Sequence, residues 1–182
     1  MTASRLAGMA ARPTASLYSI NMKSLMAALV LVSPVFAQYT SPAANTTVTV
    51  AGKKINIDYH APSMHGRKIF GGLVPYGHIW RAGANEATAL HTDADLQIKG
   101  LRVPKGDYTL FVWPEANGWQ LVVNKQTGQW GLEYHKDQDL GRVPMDMAKT
   151  PAPVETFKIT LTAGSLSMEW ENTIAKVPIV VK

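Results

Sequence analysis

From residue 47 onwards the chain is divided into short segments in which apolar and polar residues alternate, and this pattern restricts its fold more than any other feature. Each segment is closed by a turn signal such as Ala51-Gly52 or Asn117-Gly118. A period of two residues is typical of a strand with one buried face, and no stretch in this region keeps the 3.6-residue period of a helix. The sequence therefore predicts an all-β domain.

Segments of this kind, separated by turns every eight to twelve residues, favour an antiparallel β-sandwich of about eight or nine strands with one long ordered loop. A β-barrel-like closure is the alternative. The expected strands are 47–50, 54–59, 86–92, 96–98 with its continuation 101–103, 107–113, 119–124, 154–162, 166–170 and 174–181.

Three local signals refine this arrangement. Asn117-Gly118 predicts a tight hairpin, at whose mouth Trp113 and Trp119 are expected to pair across the strands. Pro178 removes a backbone donor from the last strand, which predicts that this strand lies at a sheet edge. Residues 125–153 keep no period and are expected to be irregular.

The long loop covers residues 61–86, and its stretch GRKIFGGLVPYGHIWRAGANEATAL (66–90) contains five glycines. Loops of this length inside a compact domain are uncommon and are usually functional or disordered. The apolar residues Ile69, Phe70, Val74 and Ile79 indicate that this loop is ordered. We therefore expect a rigid polar-aromatic recess for a small anionic or carbohydrate ligand, or for a partner protein. Its candidate ligand-binding residues are Arg67, Tyr76, Trp80, Arg81, Asn85 and Glu86.

Each of these residues also has a purely structural interpretation. In the first interpretation, the planar guanidinium of Arg81 forms two parallel hydrogen bonds to a carboxylate or phosphate, and Glu86 orients the guanidinium. Alternatively, Arg81 and Glu86 pair with each other and with loop carbonyls. Trp80 and Tyr76 form a stacking platform in the first interpretation, whereas Trp80 belongs to the core in the second. Arg67 is either part of the site or a solvated charge.

An extracytoplasmic hydrolase is the alternative function, with Glu86 or a histidine as general acid/base and Arg81 stabilising negative charge. Glu86 and Asp58 could supply a carboxylate pair. Ser63 has no nucleophile motif around it. The histidines at 60, 65, 78 and 91 lack the spacing of a compact ligand set, so neither a metal nor another cofactor is expected.

Composition excludes several other classes. The chain has 18 Lys and Arg against 13 Asp and Glu, and Arg5, Arg12 and Lys23 precede every acidic residue. Without these three the net charge is about +2, and no block of basic residues remains, so nucleic-acid binding is not expected. Because cysteine is absent, the protein has no disulfides, no thiol catalysis and no lipid-anchor cysteine.

The N-terminus has the pattern of a targeting segment. Residues 1–37 read as a signal peptide with Val35-Phe36-Ala37 as its cleavage site. Met22 is the expected true start, with 1–21 as an upstream misread, and a long N-terminal region that carries Arg5 and Arg12 is the alternative. The apolar run is too short to span a bilayer, so no membrane anchor is expected. Residues 38–46 are expected to form a flexible lead-in and 47–182 a single β-sandwich domain. We therefore expect a periplasmic or secreted protein.

The runs GRKIFGGLVPYG (66–77), WRAGANEAT (80–88), LQIKG (96–100) and VPKGDYTLF (103–111) also carry a resemblance. Together they resemble a family of secreted bacterial proteins catalogued only as a domain of unknown function. The resemblance covers residues 41–180. It implies an all-β extracytoplasmic domain and brings no activity with it.

Overall fold

A computed structural model describes residues 41–182, so the predicted signal peptide 1–37 and residues 38–40 of the lead-in lie outside the described residues. The described chain forms twelve strands and one 3₁₀ turn, Lys136–Gln138. The strands are β1 (Ala43–Val50), β2 (Lys53–His60), β3 (Thr88–Thr92), β4 (Leu96–Ile98), β5 (Leu101–Val103), β6 (Gly106–Glu115), β7 (Gly118–Asn124), β8 (Asp139–Pro144), β9 (Asp146–Ala148), β10 (Val154–Leu161), β11 (Ser165–Glu171) and β12 (Thr173–Val181).

The strands form two antiparallel sheets, and neither closes into a barrel. The first has the order β1-β2-β3-β6-β7-β8, and the second has the order β10-β11-β12-β4-β5 with β9 also paired to β12. The prediction of an all-β sandwich with one long ordered loop is confirmed. The expected positions of the strands agree with the structure within a few residues, but the structure has more strands than the eight or nine expected.

Two of the additional strands, β8 and β9, come from the segment 125–153, where the prediction of irregular structure is wrong. The other arises because 96–98 and its continuation 101–103 form two separate strands, β4 and β5. β8 pairs with residues 120–124 of β7, and β9 pairs with β12. β8 is half-buried over its first four residues and β9 is exposed along its whole length, so neither carries the apolar alternation that marks a strand in sequence. β1 also starts earlier than predicted, because Ala43 already pairs with His60 inside the predicted lead-in 38–46.

Pro178 does not mark an edge strand, because β12 is hydrogen-bonded on both sides, to β11 and to β4 and β9. The Pro178 carbonyl accepts from the Lys99 N–H, 3.1 Å away, beyond the end of β4. The nitrogen of a strand residue faces the same side as its carbonyl. The side of Pro178 that lacks an N–H therefore faces the gap between the part of β12 that pairs with β9 and the part that pairs with β4. No ladder hydrogen bond is lost at that position.

The predicted hairpin is present, with Ala116 and Asn117 as its turn and Gly118 already paired with Glu115, but Trp113 and Trp119 do not pair across it. In the β6–β7 register Trp119 is opposite Pro114, and Trp113 is opposite Gln120. Neighbouring residues in a strand face opposite sides of the sheet, so the two indoles lie on different faces. Trp119 is buried in the core, whereas Trp113 is half-buried and donates its Nε1–H to Glu115.

The core contains a cluster of aromatic rings to which the long loop contributes two members. Phe70 and Trp80 come from the loop, and Trp80 stacks on Trp170 of β11 with ring centroids 5.9 Å apart. Phe70 meets Trp119 edge to face at 4.4 Å. Such pairs stabilise a core beyond the area that they bury. The loop is therefore ordered because its own aromatic side chains are part of the hydrophobic core.

A carboxylate also holds the backbone of the loop. Glu171, the last residue of β11, accepts the N–H of Ile69 and of Phe70 at 3.2 and 3.4 Å. Ile69 is fully buried, so its backbone donor would otherwise lack a partner. Among residues 41–182, no helix has both the length and the apolar composition needed to cross a membrane.

Candidate functional site

The long loop forms one wall of a cavity of about 470 Å³, here called the arginine cavity. Charged or titratable side chains around it come from Arg67, Arg81, His65 and His78. No Asp or Glu is among the described residues that line it, so the cavity has a positive or neutral lining. The other lining residues are Ser41, Pro62, Ser63, Leu73, Val74, Pro75, Ile79, Trp80, Gly83, Ala84, Gly131 and Leu132.

Arg81 is the most unusual residue of this lining. Its side chain is about half-buried, and burial lowers its pKa below the ordinary value of arginine. Within residues 41–182 its side chain forms no hydrogen bond and no ion pair, and Nε is buried without any partner. Arginine remains a cation in proteins, so a desolvated positive charge lies here without compensation.

The backbone around Arg81 is held by specific contacts. Its carbonyl accepts the N–H of Thr88, and the neighbouring Asn85 carbonyl accepts the N–H of Gly131 at 3.2 Å. Asn85 has a φ of 56°, a left-handed conformation that asparagine tolerates better than most residues. Asn85 therefore shapes the loop beside Arg81, and it does not line the arginine cavity itself.

Arg67 lines the same cavity but its guanidinium is used by the loop. Nε donates to the Met64 carbonyl at 2.9 Å, and Nη2 donates to the Ser63 carbonyl at 2.7 Å. Arg67 is therefore not merely a solvated charge, because its guanidinium holds the backbone of the loop. Its charge still contributes to the positive lining of the cavity.

Trp80 lies in the core, as its alternative interpretation requires. Its side chain is 9% exposed, and its Nε1–H donates to the Gly83 carbonyl at 3.1 Å. Trp80 is among the residues that line the arginine cavity, but with so little exposed surface it is not an open stacking platform. Tyr76 is exposed, packs against Gly71 and is absent from the cavity lining.

Glu86 is not the partner of Arg81. Its Oε2 lies 3.3 Å from Nδ1 of His60, and both residues line a second cavity of about 360 Å³. This second cavity, here called the acidic cavity, is also lined by Asp58 and Gln129, together with Ala43, Ala44, Asn45, Tyr59, Ala87, Ala89 and Gly128. The predicted site residues are thus divided, with Arg67, Trp80 and Arg81 on one cavity and Glu86 on the other.

Several residues that sequence reasoning omits complete the arginine cavity. Leu73 and Leu132 are 48% and 79% exposed and give its wall apolar side chains at the surface. Gly131 is in van der Waals contact with Arg81. Leu132 and Gly131 belong to the segment 125–153, about 50 residues after Arg81, and no local pattern connects the two segments.

Metal binding has no geometric support in this part of the chain. Among the described residues, no three His, Cys, Asp or Glu side chains converge in a group that could hold a metal ion. The histidines at 60 and 91 are instead paired with carboxylates.

The resemblance noted in the sequence is confirmed by a family match. A family described as "protein of unknown function (DUF2911)" matches residues 41–179, which include the long loop and nearly all of both sheets. No curated protein and no solved structure matches the chain significantly. The chain therefore belongs to the DUF2911 family of proteins of unknown function.

Proposed function

We propose that this protein is a periplasmic or secreted β-sandwich module that binds a small organic anion with an apolar body in the arginine cavity. The observation that supports this most directly is Arg81, a half-buried cation without a hydrogen-bonding or charged partner in residues 41–182. A cation in such surroundings destabilises the free protein, and a bound anion offsets that cost.

The lining determines which anion fits. The planar guanidinium of Arg81 can form two parallel hydrogen bonds to a carboxylate or phosphate, and Arg67 adds a second positive charge to the lining. Leu73, Val74 and Leu132 offer apolar contact to the rest of the ligand. A neutral carbohydrate leaves the Arg81 charge uncompensated, so an organic carboxylate is the preferred class. The cavity volume lies within the range of about 300–1,000 Å³ that is common for ligand pockets.

The Glu86 form of the hydrolase alternative has no comparable support, because Glu86 and Arg81 line different cavities. His65 and His78 do line the arginine cavity together with Arg81, and Nδ1 of His78 is bonded to the Tyr76 carbonyl at 3.0 Å. The location outside the cytoplasm rests on the N-terminal sequence, and it is tested by fractionating cells that express the full chain and following its cleavage.

The proposal is tested with Arg81→Met, which removes the charge and keeps an unbranched side chain against Gly131. Thermal shift and isothermal titration calorimetry use acetate, butyrate, hexanoate, benzoate and phosphate as probes. We expect affinity to rise with the apolar part of the carboxylate. The variant should bind the best probe about tenfold more weakly or worse, because it loses charge-assisted hydrogen bonds. Its melting temperature should equal or exceed that of the unmodified protein.

Arg102→Met is the matched control, because Arg102 is exposed and pairs with Asp95 on the surface. It should leave binding unchanged. The proposal fails if none of the probes binds saturably, or if Arg81→Met binds them as well as the unmodified protein. A collapse of stability in Arg81→Met would instead mark Arg81 as a structural residue.

A further inference from the structure

The guanidinium of Arg81 can be reached from the arginine cavity through its outer end. Its Nε is buried, whereas Nη1 and Nη2 are accessible, and neither of them has a hydrogen-bonding or charged partner within residues 41–182. The two Nη atoms together can donate two hydrogen bonds to one carboxylate. The cavity therefore offers a ligand one strong polar anchor.

Other polar groups of the lining are already bonded within the protein. Ser63 Oγ lies 2.8 Å from Thr156 Oγ1, and Arg67 donates through Nε and Nη2 to backbone carbonyls. The Gly83 carbonyl accepts from the indole of Trp80. A sugar acid or a peptide end carries hydroxyl or amide groups beside its carboxylate, and these would be desolvated in the cavity without partners of their own. A ligand that is polar only at its carboxylate avoids that cost.

The apolar part of the lining is aliphatic and continues to the surface. Leu132 directly follows Gly131, which packs against Arg81, so aliphatic surface begins beside the charge. Leu132 is 79% exposed and Leu73 is 48% exposed. Of the Phe, Tyr and Trp residues in the described part of the chain, only Trp80 lines this cavity, and it is buried. The wall therefore favours an alkyl chain over a flat aromatic ring.

We infer that the arginine cavity binds an unbranched alkyl monocarboxylate, such as a fatty acid, with its carboxylate on Arg81 and its chain along Leu132 and Leu73 towards the surface. The inference rests on the proposed function, because it requires the anion site at Arg81. A bound chain covers two leucine side chains that the free protein exposes to water, and this burial is favourable. Leu132 and Leu73 thereby determine the preference for chain length.

Isothermal titration calorimetry of the full chain with butyrate, hexanoate, octanoate and decanoate tests the inference. A methylene group that becomes fully buried raises affinity about fourfold, so we expect a rise of about two- to fourfold per methylene while the chain follows the wall. Gluconate, a six-carbon carboxylate with hydroxyl groups along its chain, should bind at least tenfold more weakly than hexanoate. Benzoate should bind more weakly than heptanoate, which has the same number of carbon atoms. Octanol lacks the charge and should bind at least tenfold more weakly than octanoate.

Leu132→Ser tests the path of the chain, and its exposed position makes a loss of folding unexpected. The variant should reduce the ratio of decanoate affinity to butyrate affinity about fivefold or more. Met147→Ser is the matched control, because Met147 is also an exposed apolar residue but lies outside the cavity lining. It should leave the ratio unchanged. Circular dichroism of each variant confirms that it is folded.

The outcomes separate this inference from the proposed function. If butyrate binds saturably and Arg81→Met weakens it, but octanoate and decanoate bind no more tightly, the inference is overturned and the proposed function stands. The inference is also overturned if gluconate binds as tightly as hexanoate, or if Leu132→Ser keeps the full ratio of decanoate to butyrate affinity. Failure of every carboxylate to bind overturns both.

Discussion

Gly131 lies so close to Arg81 that a Cβ atom at this glycine would be 1.9 Å from Arg81 Cδ and 2.4 Å from the Asn85 carbonyl oxygen. No side chain fits in that space unless the arginine or the loop moves. The position of the Arg81 guanidinium therefore depends on a residue that is distant in sequence and has no side chain.

Gly131→Ala should displace Arg81 and reduce carboxylate binding about tenfold or more, with a loss of stability of about 1–3 kcal/mol from overpacking. Calorimetric titration and urea unfolding measure the two effects. Gly164→Ala is the matched control, because a Cβ there has no atom within 4 Å and Gly164 lacks a positive φ. If Gly131→Ala binds carboxylates normally, the observed position of Arg81 is not required for binding.

The contact between Glu171 and the loop amides predicts how the loop responds to mutation. Glu171→Gln replaces a carboxylate that accepts from Ile69 and Phe70, so these amides should exchange faster and stability should fall by about 1 kcal/mol. Hydrogen exchange followed by mass spectrometry measures this, with Glu169→Gln as control. In the unmodified protein, segment 69–80 should exchange more slowly than the exposed turn Ala51-Gly52. Equal exchange rates in these two segments would contradict an ordered loop.

His91 predicts a small dependence of stability on pH. Its Nδ1 lies 2.6 Å from Asp107 and its Nε2 lies 3.1 Å from Asp93, and hydrogen bonds to these carboxylates raise the pKa of His91. A raised folded-state pKa stabilises the protein below the ordinary histidine value of about 6.5. That contribution is lost as pH rises through the folded-state pKa.

Asp107→Asn should therefore lower the pKa of His91, because Asp107 is the largest cause of the shift. Titration of the ring signals by NMR measures it, and Asp137→Asn is the control. The stability difference between the unmodified protein and Asp107→Asn should shrink as pH rises through the His91 pKa. A His91 pKa at or below the ordinary value, or a difference that grows with pH, would show that the imidazolium is not held by these carboxylates.

Local signals were sufficient for part of the fold. Asn117-Gly118 correctly indicates a tight hairpin, because turn signals act over neighbouring residues, although the turn itself is Ala116-Asn117 and Gly118 begins β7. The apolar residues of the loop likewise indicate order, and Ile69, Phe70 and Trp80 are buried. The edge position predicted from Pro178 is wrong, because the cost of a missing N–H depends on which neighbour faces it, and the sequence does not contain that information.

The candidate site, like the fold, is only partly predictable from the sequence. Arg67, Arg81 and Glu86 stand out in sequence as charged residues in an unusual loop, but the sequence does not show which of them share a cavity. Pairing of Glu86 with His60, rather than with Arg81, follows from the placement of β2 beside the end of the loop. Gly131 and Leu132 line the arginine cavity because the fold brings two distant segments of the chain together. No pattern in the sequence indicates that contact.

The sequence by itself determined that this chain is an all-β protein with one ordered loop, because alternation and turn residues act over a few neighbouring positions. Only the tertiary structure decided that the charges of the loop divide between a cavity without carboxylates and a cavity without lysine or arginine. The physical reason is that desolvation and charge pairing depend on distances of a few ångströms between segments far apart in the chain.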